Sequence, residues 1–414
     1  MTQKPALSWI SIGVALASAV AIYFLPTFSL WFLAILLLNL LIPVVFRKSY
    51  GPSALLVCRL LVGALFIFSS FTKGVDPLGT KYKMLDYLSV YGMTWLNDFA
   101  LALAMLMILA EFIVGICLVT NIFPRLAVLG ATLLMLFFTT TTLFDALYDL
   151  VPDCGCFGTA IKMSNWQTFY KNLVIDAVLL PLILNNKQLE NSLKWPVQFI
   201  IGCVYALAFL AFEIYNYRHL PVVDFMNWKV GKQMNTEPVE ESRIYLTYRN
   251  KITGETKEYL SPDYPWNDSV WMSQWEFVDQ RLEGGGNFLG FSALDEDGND
   301  VTENILTTEN LLMFTSNDLS KVTEKEWSKI KDITEAAEEH GFTVVWAVAN
   351  PPEYVEQLRE KYDFLYEVYY GDELEIKTIV RFNPGLIWLD NGLVKDKWSA
   401  IDFPQGKKLE VLFN

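Results

Sequence analysis

The chain has 414 residues, 53% hydrophobic and 14% aromatic, with mean hydropathy +0.28 and formal net charge −14. It is too apolar for an ordinary soluble domain and too acidic to neutralise nucleic-acid phosphates. Having only His219 and His340 also argues against a His-rich zinc site or a Ser/His/Asp triad. Up to Arg218 there are 13 Lys and Arg against 10 Asp and Glu, leaving 19 and 36 after it. The first part is therefore near +3 and the second near −17, two solvents in one chain: a lipid-embedded half and a solvated acidic half.

A helix crossing the hydrocarbon core needs roughly 20 apolar residues. Seven segments qualify: 8–25, 29–46, 54–72, 98–121, 124–148, 166–185 and 196–216. Lys4 and the run ending in Ala17-Ser18-Ala19 also fit a cleaved signal peptide, but the apolar stretch continues to Leu25. Arg47-Lys48, Arg125, and Lys187 with Lys194 fall in alternate gaps. With Lys4 they place the amino terminus in the cytoplasm. The segment 73–97 then reads as an outer loop, and everything after the seventh span faces outward. The expectation is a multi-pass protein of a bacterial inner membrane with its carboxy-terminal domain in the periplasm.

Ionisable groups in hydrocarbon are expensive and usually paired. Arg59 in the third span and Glu111 in the fourth are the expected intramembrane pair. Asp145, Asp149 and Asp153 repeat every four residues, one acidic stripe on a helix. With Lys73, Lys171 and Asp176 they are expected to line a polar pocket under the outer surface. The same charges also fit paired glue between helices. Thr139 to Thr142 read as structural, and Cys58, Cys117 and Cys203 as small apolar fillers.

That stripe leads into Cys154-Gly155-Cys156-Phe157-Gly158, where two of the five cysteines stand one residue apart. Such a pair can close a small, labile ring, with Gly155 supplying backbone freedom, or present two soft ligands to a metal. Two ligands are too few for a metal site within this chain.

Arg59-Leu-Leu-Val-Gly63, Phe68-Ser-Ser-Phe-Thr-Lys73-Gly-Val-Asp76-Pro77, Glu111 and the CGCFG element together resemble the DoxX-like membrane proteins, most nearly their MauE branch. The resemblance covers about residues 54–186. It implies a four-helix membrane bundle associated with thiol, disulfide or quinone chemistry. It also makes Cys154 and Cys156 the redox pair, and Arg59, Lys73 and Glu111 polar positions of the bundle. Leu220-Pro-Val-Val-Asp-Phe-Met-Asn-Trp-Lys-Val-Gly231 is similar to the membrane-exit segment of Bacteroidetes DoxX-type proteins that carry a large carboxy-terminal domain. There Arg-Pro is usual where this chain has Met226-Asn227.

In the acidic half, 243–249 and 255–260 flank a turn at Ile252-Thr253-Gly254, a hairpin signal. Leu311–Thr315 is an expected buried strand, Thr323–His340 a helix, Phe342–Ala349 a strand and Pro352–Lys361 a helix. Asn391-Gly392 joins strands 385–389 and 393–398. This order, with Asn383-Pro384 before the hairpin, resembles a thioredoxin-type fold. The resemblance implies a cis proline at Pro384 beside a partner groove. Thr315-Ser316-Asn317-Asp318-Leu319-Ser320 stands where a CxxC is expected, and no cysteine follows Cys203. This domain therefore performs no dithiol exchange by itself; it could instead cover or dock a partner.

The expected organisation is two accessory helices in 1–50, the DoxX/MauE-like bundle in 51–190 and a last span in 191–218. A strand-rich linker in 219–305 and a soluble α/β (α+β) domain in 306–414 follow. Two functions fit. One is a thiol–disulfide or electron relay through Cys154 and Cys156, serving a periplasmic or membrane protein, with a quinone as candidate acceptor. The other is a non-catalytic scaffold or a lipid- or small-molecule-binding bundle. The residues leave open whether the chain is itself an enzyme, and no other cofactor signature is evident.

Overall fold

Proline opens the chain's helices where it costs least, since the first turn has no use for its missing N–H. In the computed structural model Pro52 starts α3 (Pro52–Val75), Pro77 starts α4 (Pro77–Val90), Pro124 starts α6 (Pro124–Tyr148), and Pro196 lies in the first turn of α8 (Trp195–Arg218). The remaining membrane-unit helices are α1 (Pro5–Ala21), α2 (Leu30–Val45), α5 (Ala100–Thr120) and α7 (Asn165–Leu184). The structure describes residues 5–151, 155–190, 193–235, 243–251, 253–260, 271, 274–283, 291–362, 366–406, 409 and 412. It divides into two units, 1–226 and 227–414.

Among the described residues six helices are long and apolar enough to cross a membrane: Ala6–Phe24, Pro52–Val75, Thr94–Thr120, Pro124–Tyr148, Asn165–Leu184 and Trp195–Arg218. The expected second span is shorter than the sequence suggested. Its 16-residue helix α2 is about 24 Å long at 1.5 Å per residue, short of the ~30 Å core. Phe46 leaves the helix, so the last apolar residues of that segment do not lengthen it. Exposed Tyr23, Phe24, Trp31, Trp95 and Tyr148 lie at one set of helix ends, as interfacial aromatics do.

The segment 73–97 is not a plain loop. Asp76 accepts a hydrogen bond from the Gly79 N–H, 2.9 Å, and caps α4 directly after α3. The tightest helix contact joins α3 and α5. A Cβ on Gly63 would lie 2.9 Å from the Gly115 carbonyl, and one on Gly115 would lie 2.9 Å from that of Gly63. Only two glycines allow this approach, and it fixes the register of the two antiparallel helices.

In the second unit, β1 (Arg243–Asn250) lies between β2 (Thr256–Leu260) and β3 (Trp275–Glu283), all antiparallel. After the short α9 (Thr302–Thr307), a five-stranded sheet has the order β6-β5-β4-β7-β8. Its strands are β4 (Leu311–Ser316), β5 (Thr343–Val348), β6 (Glu367–Tyr370), β7 (Gly385–Asp390) and β8 (Leu393–Ser399). The first three are parallel, and the β7–β8 hairpin is antiparallel. Helices α10 (Glu324–Glu339), α11 (Pro352–Tyr362) and α12 (Glu373–Ile379) connect them. Strand β6 and helix α12 are additions to the expected order. Trp327, Trp346 and Phe314 stack through the core between α10 and the sheet.

Candidate functional site: a disulfide loop over a buried ion pair

The two turns of α3 before its end carry Phe68-Ser-Ser-Phe-Thr-Lys73, with Ser69 and Lys73 on one face at a spacing of four. Lys73 is 5% exposed and forms an ion pair with Glu111 of α5, itself 1% exposed. The pairing corrects the expected Arg59–Glu111 contact, and helix register explains why. With Gly63 level with Gly115, Arg59 lies about eight residues, or ~12 Å, from the depth of Glu111. Helical side chains lean toward their own amino terminus. On antiparallel helices that brings Lys73 and Glu111 together. Arg59 instead donates to the side chain of Asn121, which follows α5.

Above the pair lies the loop containing Cys156, which is disulfide-bonded, whereas Cys58, Cys117 and Cys203 are free. Cys154 and Asp153 lie outside the described residues. The Ser69 hydroxyl is 2.9 Å from Glu111 Oε2 and 2.9 Å from the Cys156 carbonyl oxygen, linking the loop to the ion pair. Gly155 and Gly158 have φ of +63° and +54°, and the Gly158 N–H donates to the Gly155 carbonyl at 2.9 Å. A Cβ at Gly158 would meet the Thr72 carbonyl oxygen at 2.9 Å, so the loop seats directly on the end of α3. On its other side a Cβ at Gly155 would lie 3.2 Å from the Lys83 stem of α4.

Lys171 brings a second ammonium. Its Nζ lies 4.8 Å from the ring centroid of Phe157, next to Cys156, and it is within Coulombic reach of Lys73 and Glu111. Lys73 also sits over the Phe138 ring, 5.3 Å from its centroid. Two lysine amines and one carboxylate come together here, faced by aromatic π-surfaces.

The structure does not gather the other expected pocket residues here. Asp145 is fully buried and accepts from the Tyr87 hydroxyl of α4 at 2.6 Å. Burial and the Asp145 charge push the nearby Tyr91 phenol up. Asp149, in the left-handed region at φ +51°, accepts from Asn165 Nδ2 at 2.8 Å and closes the α6–α7 connection. Asp176 accepts from Thr139 at 2.8 Å, so one hydroxyl of the threonine run has an acidic partner. The expected single pocket is therefore a central Lys73–Glu111–Lys171 cluster with separate satellites. Sequence reading missed Ser69, Phe157 and Tyr87 as participants. The i, i+4 spacing from Lys73 was the available signal for Ser69. Among the described residues no group of three His, Cys, Asp or Glu could hold a metal ion.

In the second unit the Asn383–Pro384 peptide is cis. Asn383 ties its strand end to that of β4, accepting from the Ser316 hydroxyl at 2.7 Å and donating to the Asp318 carbonyl at 2.7 Å. Pro384 itself is buried.

No curated protein and no solved structure matches the chain. Residues 51–185 match the family model for methylamine utilisation protein MauE, a span that runs from the start of α3 to the end of α7 and contains every member of the cluster. The chain is a multi-pass membrane protein whose bundle region is similar to that family.

Proposed function

We propose that this protein is a membrane thiol–disulfide relay in which Cys154 and Cys156 form the exchanging pair. The observation that carries the reading is a disulfide-bonded Cys156 hydrogen-bonded through Ser69 to a buried Lys73–Glu111 ion pair. Buried charge in a membrane is costly, and its concentration under one short loop points to chemistry at that loop. In the exchange, a partner's two thiols become a disulfide as the Cys154–Cys156 bond is reduced to two thiols. Reoxidation passes two electrons and two protons to a quinone, reduced to a quinol, or to the disulfide of a second thiol protein. Lys171, beyond the Lys73–Glu111 pair, favours in its protonated form the thiolate that must form and leave.

The proposed setting is a bacterial inner membrane with the loop on the periplasmic side. Arg125, Lys187 and Lys194 stand at the opposite helix ends, which supports that orientation. The sheet order β6-β5-β4-β7-β8 and the cis Pro384 support a thioredoxin-like fold for the second unit. With no cysteine after Cys203, its role is to dock the relay's protein partner.

Cys154→Ser or Cys156→Ser, followed by acid quenching and alkylation in cells, tests this. The expected result is a trapped mixed disulfide with a partner and, in the wild type, both reduced and oxidised protein. A pair that stays fully oxidised, together with a functional double Ser variant, overturns the relay and leaves a scaffold whose disulfide is structural.

A further inference from the structure

Three hydroxyls cluster near the end of α3, and they behave differently. Ser70 donates to the Ile67 carbonyl at 2.9 Å and Thr72 to that of Ser69 at 3.0 Å, the local bonds that helical hydroxyls usually make. Ser69 turns away from its helix and reaches two groups on other parts of the chain, Glu111 Oε2 and the Cys156 carbonyl, each at 2.9 Å. A hydroxyl has one proton to donate. The loop carbonyl and the buried carboxylate therefore compete for a single donor.

We infer that Ser69 is a positioning residue that sets the redox equilibrium of the Cys154–Cys156 loop by sharing its proton between that loop and Glu111. With the disulfide closed, the Cys156 carbonyl lies within reach and takes part of the bond. Opening the ring relaxes the loop, and the Ser69 hydroxyl then donates wholly to Glu111, whose other oxygen is held by Lys73. The dithiol form thus has an undivided, charge-assisted bond where the disulfide form has a shared one. A difference the size of one ordinary hydrogen bond shifts an equilibrium by about fivefold. The inference rests on the relay reading only in that the pair must open and close.

The test uses the purified full chain in lipid nanodiscs, titrated with dithiothreitol, whose two thiols become a cyclic disulfide as the loop's bond becomes two thiols. Ser69→Ala is expected to displace the equilibrium about fivefold toward the disulfide, about 20 mV for a two-electron couple. Ser69→Thr, which keeps the hydroxyl, is expected to restore the wild-type value. A merely structural serine would lower the melting temperature on substitution and leave the potential where it was. Ser69→Ala within twofold of wild type, or Ser69→Thr behaving as Ala, overturns the inference. A clear Ser69→Ala shift beside a double Ser variant that still works in cells would remove the relay and leave this coupling standing.

Discussion

The two ends of the membrane bundle use polar side chains in different ways. At the end opposite the loop, apart from Arg59 with the Asn121 side chain, they staple backbone. Arg125 donates to the Leu189 and Lys187 carbonyls at 3.0 and 3.3 Å, Asn121 to that of Glu190 at 3.0 Å, and Gln198 Oε1 accepts from the Phe123 N–H at 2.6 Å. At the loop end they bond one another: Lys73 with Glu111, Ser69 with Glu111, Tyr87 with Asp145, Asn165 with Asp149. Side chain to backbone bonds satisfy loop carbonyls and stop there. A network of ionisable side chains costs more to bury and can redistribute charge when one member changes. The difference separates an end where side chains mainly satisfy backbone from one where they mainly bond one another.

The comparison breaks most visibly at Lys73. Lys73→Met leaves Glu111 buried without its cation, a loss of about 3–5 kcal/mol. A large drop in melting temperature in detergent is expected, and Lys73→Met with Glu111→Leu should recover most of it. If Lys73→Met alone melts like the wild type, the pair is not the buried element described here. Next is Gly158→Ala, which meets both an unfavourable left-handed conformation, about 1–2 kcal/mol, and the fixed Thr72 carbonyl. Gly155→Ala has the same conformational penalty but meets only the flexible Lys83 stem. Protease or alkylation access to the loop should therefore rise more for Gly158→Ala; the reverse order would misplace the loop. The smallest effect is expected at the stapled end. Arg125→Ala removes two bonds to carbonyls and should cost about 1–2 kcal/mol, read as a modest fall in melting temperature. The dithiothreitol equilibrium of the loop should not change. A shifted equilibrium there would join the two ends that this comparison separates.

Much of this fold was legible in the chain. Spans announce themselves because hydrocarbon demands long apolar runs, and prolines and caps mark where helices start. Helix α4 was less visible, its apolar and polar residues being too mixed to show a clear face beyond the Asp76-Pro77 start. The partner of Glu111 was out of reach for a different reason. Depth along each span can be read from sequence, but the relative register of α3 and α5 depends on the Gly63–Gly115 approach, a three-dimensional fact. In the second unit the hairpin at Asn391-Gly392 was plain from its turn chemistry. Strand β6, only four residues long, carries too little pattern to be told from a loop. The CGCFG element stood out as a motif. What it rests on was not readable.

Lys171 offers the most direct test of the claim that this cluster serves the loop thiols. Its protonated form adds a positive charge beyond the Lys73–Glu111 pair, and Lys171→Met leaves that pair intact. The measurement is the rate at which the reduced loop attacks an aromatic disulfide probe, added to proteoliposomes on the loop side at neutral pH. Losing one pH unit's worth of thiolate, partly offset by higher intrinsic nucleophilicity, predicts a reaction roughly threefold slower in Lys171→Met. Equal rates in the two proteins, or no reaction in either, would contradict the account.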